Sequence, residues 1–154
     1  MPPAVSFLTP GRGVSLCLAG LLAVVAGCAS QQEQYCETVR ENQRALGEAV
    51  AQPGAQGLVD ALPVYRTLAK DAPDDIADDW RTLIDAVARF DRVVQRTGVD
   101  PATYDQKSPP EGLRADERDE LEQAGLGLAD PEVRRAQAGV EQQALDVCKT
   151  PLSM

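Results

Sequence analysis

The chain of 154 residues contains no histidine. That absence removes Ser-His-Asp and Cys-His nucleophilic catalysis, the His-Glu-x-x-His zinc site and every imidazole base. Aromatic side chains are scarce, with one Trp, two Phe and three Tyr. A glycosidase would need aromatic platforms in a cleft beside its two carboxyl groups, so the many acidic residues do not suggest that chemistry. Basic residues are in deficit, 15 against 24 acidic ones, for a net charge of −9. Nucleic-acid binding relies on cations that neutralise phosphates, and docking of a folded surface on anionic lipid headgroups relies on them too, so both are disfavoured. There is no Gly-rich phosphate loop: Gly125-Leu126-Gly127-Leu128 lacks the following Lys-Ser/Thr and has no strand before it. No repeat is evident, and no strand-like alternation of useful length occurs. These absences point to a protein that is not an enzyme and calls for no cofactor.

The one long uncharged stretch lies near the start, over residues 13–30. A single cation, Arg12, precedes an apolar run over 14–26, the layout of a secretory leader. At its end, Val25-Ala26-Gly27-Cys28 resembles the lipobox of bacterial lipoprotein signal peptides. The resemblance implies cleavage before Cys28, which then carries the lipid. Two other readings are an uncleaved spanning helix, for which the stretch is barely long enough, and an ordinary signal peptide cut elsewhere. Gly20, Gly27, Ala29 and Ser30 dilute the hydrophobicity and Gln31-Gln32 follow at once, which fits lipid transfer better than a membrane span. The expected organisation is a removed leader over 1–27, a lipid anchor and short tether over 28–34, and one domain over 35–149. Such a protein sits on the extracytoplasmic face of the cell membrane. Ala29 rather than Asp after the lipidated cysteine does not favour inner-membrane retention in a host with two membranes.

Losing a leader with one cation and no acid takes the net charge from −9 to −10 and leaves 127 residues, enough for one domain with a real core. An acidic surface of this kind serves solubility before it serves recognition. The basic residues are twelve Arg and only three Lys, a usage that fits a high-GC, actinobacterial genome.

Cys17 lies within the leader, which leaves Cys36 and Cys148 near the two ends of the mature domain. They can form a disulfide, remain two buried thiols or supply half of a metal site. A metal site would need further soft or imidazole ligands, which the sequence does not offer. An oxidising compartment favours pairing, and a loop of this length is worth roughly 4–5 kcal/mol in the chain-entropy account.

Helical periodicity dominates the rest. The first helix is expected over 31–52, with Tyr35, Val39, Leu46 and Val50 on one face and Pro53-Gly54 as its stop. The second is expected over 58–70, where Pro63 requires either a start near Asp60 or a bend. The third, over 73–97, is the most regular: Ile76, Trp80, Leu83, Val87, Phe90 and Val94 follow alternating steps of four and three. Aspartates crowd its start and Arg89, Arg92 and Arg96 its end, complementing the macrodipole, and Asp85 and Arg89 are spaced for an ion pair. A charged surface helix is expected over 115–124, before Gly125-Leu126-Gly127. The last helix opens with Asp130 as N-cap and Pro131 in its first position and runs to Cys148. These segments predict an all-α fold: an antiparallel four-helix bundle with one longer connection, closed by a Cys36–Cys148 disulfide. In an up-down-up-down order the first helix starts where the fourth ends, which brings the two cysteines together.

Site candidates are few. Asp71, Asp74, Asp75, Asp78 and Asp79 form an acidic cluster, and Asp71, Asp75 and Asp78 could share a helix face with hard oxygen ligands for calcium or magnesium. Capping and dipole effects account for acids at a helix start equally well, and the EF-hand spacing is missing, so no metal is expected. Trp80 could stack on a ligand, but its place in the heptad marks it as core. Arg134-Arg135 reads as a solvated helix face.

The segment Ala72-Pro73-Asp74-Asp75-Ile76-Ala77-Asp78-Asp79-Trp80, with the flanking Cys36 and Cys148, resembles small helical lipoproteins of actinobacteria that have no assigned activity. The resemblance spans about residues 35–148. It implies a disulfide-closed helical domain tethered to the cell envelope and carries over no functional residue. Three functions compete. The first is a lipid-anchored, non-catalytic interaction or accessory module with an envelope protein as partner. The second is a carrier that holds a small apolar ligand between its helices, and the third an acidic protein binding divalent cations. A carrier needs a sizeable internal pocket, whereas an interaction module is filled inside and apolar in places outside.

Overall fold

The computed structural model describes residues 22–108 and 110–154, with the backbone alone over 22–30. Most of the expected leader, Cys17 included, and the side chain of Cys28 lie outside the described residues. Among those residues the chain is all-helical. Its helices are α1 (Leu22–Val50), α2 (Gln56–Asp71), α3 (Ala77–Thr97), α4 (Ala115–Leu128) and α5 (Pro131–Gln143), and α5 runs into a π-helical turn, Ala144–Cys148. The stretch 28–34, expected as a tether, is helical.

Four boundaries differ from expectation, each for a local reason. α1 ends at Val50, short of Pro53, and the chain turns through Gly54 at φ +60°. A side chain at Gly54 would also collide with the Ala102 carbonyl, and beside it the Ala55 N–H donates to the Pro101 carbonyl at 3.0 Å. α2 starts at Gln56 and keeps Pro63 in its interior. Pro63 is exposed there, so the Val59 carbonyl that loses its helical donor lies where solvent can reach the helix. α3 starts at Ala77, because Pro73 to Ile76 form a tight turn in which the Ile76 N–H donates to the Pro73 carbonyl at 3.1 Å. It stops, as expected, at Gly98 with φ +69°. α4 continues through the Gly-Leu-Gly segment to Leu128.

The helices pack in a chain of neighbours: α1 on α2, α2 on α3, and α3 on both α4 and α5. The circuit returns to α1 through the π-helical turn. The larger apolar core joins Tyr35, Val39 and Leu46 of α1, Leu62 and Tyr65 of α2, Trp80, Leu83 and Val87 of α3, and Val140 of α5. Every heptad position expected on α3 is buried, including Ile76 in the turn that precedes it. A second cluster forms around Phe90, Val93, Val94, Val99 and Leu121. It explains why the charged helix α4 is held in place: Leu121 and Ala124 are its apolar stripe, seated on the second half of α3. α5 begins as expected, with Asp130 Oδ1 accepting from the Glu132 N–H at 2.7 Å and Pro131 beside it.

Candidate functional site

Cys36 and Cys148 are joined by a disulfide with Cα atoms 5.0 Å apart, and both residues are buried. The bond ties α1 to the π-helical turn, the point where the circuit of helices closes. After Cys148 the chain reverses at Lys149, whose φ is +56°, and runs back along α1. Its anchor there is Gln43, a polar residue buried to 4% exposure. The Gln43 amide donates to Thr150 Oγ1 at 2.6 Å and to the Pro151 carbonyl, and the Gln43 carbonyl accepts from the Met154 N–H at 3.4 Å. Gly47, one turn along α1, leaves the room in which the Met154 backbone lies.

This tail forms one wall of a groove of about 310 Å³. Leu46 and Val50 of α1, Tyr65 of α2, Gln137 and Glu141 of α5, and Leu145, Pro151, Leu152 and Ser153 line it, and it opens to solvent. Val50 and Leu145 are 44% and 48% exposed, high values for large apolar side chains at the edge of such a groove. Tyr65 is buried at its base and packs on Trp80 with ring centroids 5.7 Å apart. Burial, assisted by the charge of Glu141, pushes the Tyr65 hydroxyl up to about 12.

Deeper in, Tyr35 and Trp80 are both fully buried. Burial pushes the Tyr35 hydroxyl up to about 12; the neighbouring Trp80 N–H pulls it the other way, and Asp75 adds to the rise. The two groups are close, yet neither Tyr35 Oη nor Trp80 Nε1 attains good hydrogen-bond geometry. Trp80 is thus a core residue and offers no face to a ligand.

No protein-family model, no curated protein and no solved structure matches the chain.

The acidic candidates do not share a helix face. Asp71 closes α2, Asp75 lies in the turn and Asp78 begins α3, so the break at Ala72–Pro73 separates them. Asp71 Oδ2 accepts from Thr38 Oγ1 at 2.7 Å and Asp78 pairs with Arg81 at 2.6 Å. Asp79 leans instead on the α5 backbone at Gly139, where a side chain would strike its carboxylate. Among the described residues, no group of three or more Cys, Asp or Glu is arranged to hold a metal ion. The Asp85–Arg89 pair does not form. Arg134 and Arg135 are exposed, as expected of a solvated face. Among the described residues, no helix is long and apolar enough to cross a membrane.

Sequence reasoning missed Gln43 and the tail it holds. A glutamine within a charged helix looks solvated, and its partners lie 107 and 108 residues away. Only the small Gly47 one turn later hinted that something lies close to α1.

Proposed function

We propose that the chain is a lipid-anchored, non-catalytic interaction module on the extracytoplasmic face of the cell membrane, with an envelope protein as partner. α1, α2, α3 and α5 form its antiparallel four-helix bundle, and α4 is an outer layer on α3. The anchor rests on the lipobox-like Val25-Ala26-Gly27-Cys28, and the buried disulfide is consistent with an oxidising compartment. The observation that carries the interaction reading is the contrast between inside and outside. Trp80, Tyr35, Phe90 and Leu46 are fully buried between the helices, while Val50 and Leu145 stand exposed at the rim of the groove. An apolar ligand in that groove would lie against Gln137 and Glu141 on one side and remain open to water, which favours a protein partner over a carried small molecule.

Two measurements test the proposal. Mass spectrometry of the membrane fraction should find a diacylglyceryl group on an N-terminal Cys28, and Cys28→Ser should release the protein. A soluble unmodified chain, or cleavage at another position, rejects the anchor. A photo-crosslinking side chain at Leu145 should give one discrete adduct in cells, with none from the same probe at Arg134. Equal labelling from both positions rejects the groove as the contact face.

A further inference from the structure

We propose that the cleft between α3 and α4 binds the phosphate group of a small phosphate-bearing molecule. Arg89, Arg92 and Arg96 stand on successive turns of α3 and line one wall of this cleft, whose volume is about 290 Å³. Its apolar floor is Val93 of α3 and Ala124 of α4. In a chain of net charge −9, three guanidinium groups in one cleft would be expected to draw carboxylates from the surface. Only one is drawn. Arg96 Nη2 meets Glu120 Oε1 at 2.8 Å, whereas Arg89 and Arg92 make no ion pair among the described residues. Asp85, spaced one turn before Arg89, does not reach it, and Asp91 accepts a hydrogen bond from Gln95 at 2.8 Å instead.

The Arg96–Glu120 contact is informative about the chemistry. It shows that an oxyanion lies comfortably across the cleft against this wall. With Arg96 already neutralised, two positive charges remain, which match the dianion of a phosphate monoester better than a single carboxylate. Guanidinium forks bind phosphoryl oxygens in pairs, and their planar faces tolerate apolar neighbours such as Val93. The cleft lies away from the tail groove, since the two share no lining residue, so the site is independent of the interaction reading above. The same phosphate monoester is available from a free ester and from the headgroup of phosphatidic acid.

The test uses the full-length protein and follows the arginine side-chain Nε–H signals by NMR. Titration with inorganic phosphate should shift Arg89 and Arg92 saturably and leave Arg40 and Arg134 in place. The double variant Arg89→Gln/Arg92→Gln should bind about tenfold more weakly or worse, with unchanged helical content. A parallel titration uses phosphatidylcholine vesicles containing phosphatidic acid, with pure phosphatidylcholine vesicles as the control. Saturation by phosphate alone assigns a free ester, and saturation that needs the phosphatidic acid vesicles assigns a headgroup. Small linear shifts spread over all arginines, or equal affinity in the double variant, overturn the proposal.

Discussion

Replacing Cys36 and Cys148 together by alanine is the most demanding perturbation of this fold, because it acts on the closure of the helix circuit rather than on one packing contact. The two cysteines are 112 residues apart in sequence. In the chain-entropy account, a loop of that length restricts the unfolded ensemble by about 5 kcal/mol at room temperature. For a domain of some 120 residues the entropy of unfolding is about 250 cal/mol/K, so the melting temperature should fall by about 20 °C. That loss is a large share of the roughly 5–15 kcal/mol typical of a whole domain. Substitution is preferable to reductant, since both residues are buried and shielded from a reductant in the folded state. Guanidinium denaturation followed by circular dichroism would give the loss directly, provided the slope is compared as well as the midpoint. A loss below about 1 kcal/mol with an unchanged slope would refute the argument, because the covalent loop would then not constrain the unfolded chain as assumed. Gln43→Ala supplies an internal control. It loosens the same tail from α1, so its cost should differ between the bridged and unbridged proteins by more than the roughly 0.5 kcal/mol within which independent sites add.

Trp80→Ala should cost about 3–5 kcal/mol, the range for a large buried aromatic, and a thermal melt equal to that of the parent would show the indole to be exposed. Alkaline pH should destabilise the protein through Tyr35 and Tyr65. Their folded-state values of about 12 lie above the ordinary tyrosine value of 10, so the native state holds its protons longer. The stabilisation is complete below the unfolded value and is lost as pH rises from about 10 to 12, by roughly 3 kcal/mol per tyrosine. Phenolate absorbance should therefore lag behind that of a free tyrosine and then rise with unfolding; titration near 10 without unfolding would contradict the burial of both rings. Gly125→Val should detach the α3–α4 loop, because a side chain there meets the ring of Tyr104, and faster amide exchange around residues 99–105 would report it. Unchanged exchange in that loop would show that Tyr104 does not rest on α4.

The all-helical class, the burial of the α3 heptad and the cysteine pair were legible in the sequence because each depends on local periodicity or on compartment chemistry. The face of α3 follows from the spacing of Ile76, Trp80, Leu83, Val87, Phe90 and Val94, and nothing at long range competes with it. Features set by distant contacts were not legible. Gly125 reads as a helix stop by composition, but in the fold it is a smooth patch on which Tyr104 rests, with Tyr104 Oη donating to the Leu121 carbonyl at 3.5 Å. Spacing lets Asp71, Asp75 and Asp78 share a helix face, but a single tight turn at Pro73–Ile76 leaves Asp71 at the end of α2 and Asp78 at the start of α3. The unpaired state of Arg89 depends on which way Asp85 and Asp91 turn, which spacing along one helix does not decide.

The disulfide also alters what a protease can achieve. A cut anywhere between the two cysteines, for instance in the exposed segment Asp105–Ser108 of the α3–α4 connection, breaks the backbone but leaves its two parts joined through sulfur. Nicking then changes the number of polypeptides without changing the number of molecules. On a denaturing gel such material would run near its intact position until a thiol is added, and only then separate into two bands. In the folded state, α3 would keep its hold on α4 and α5 across the cut, so nothing from either side would be shed.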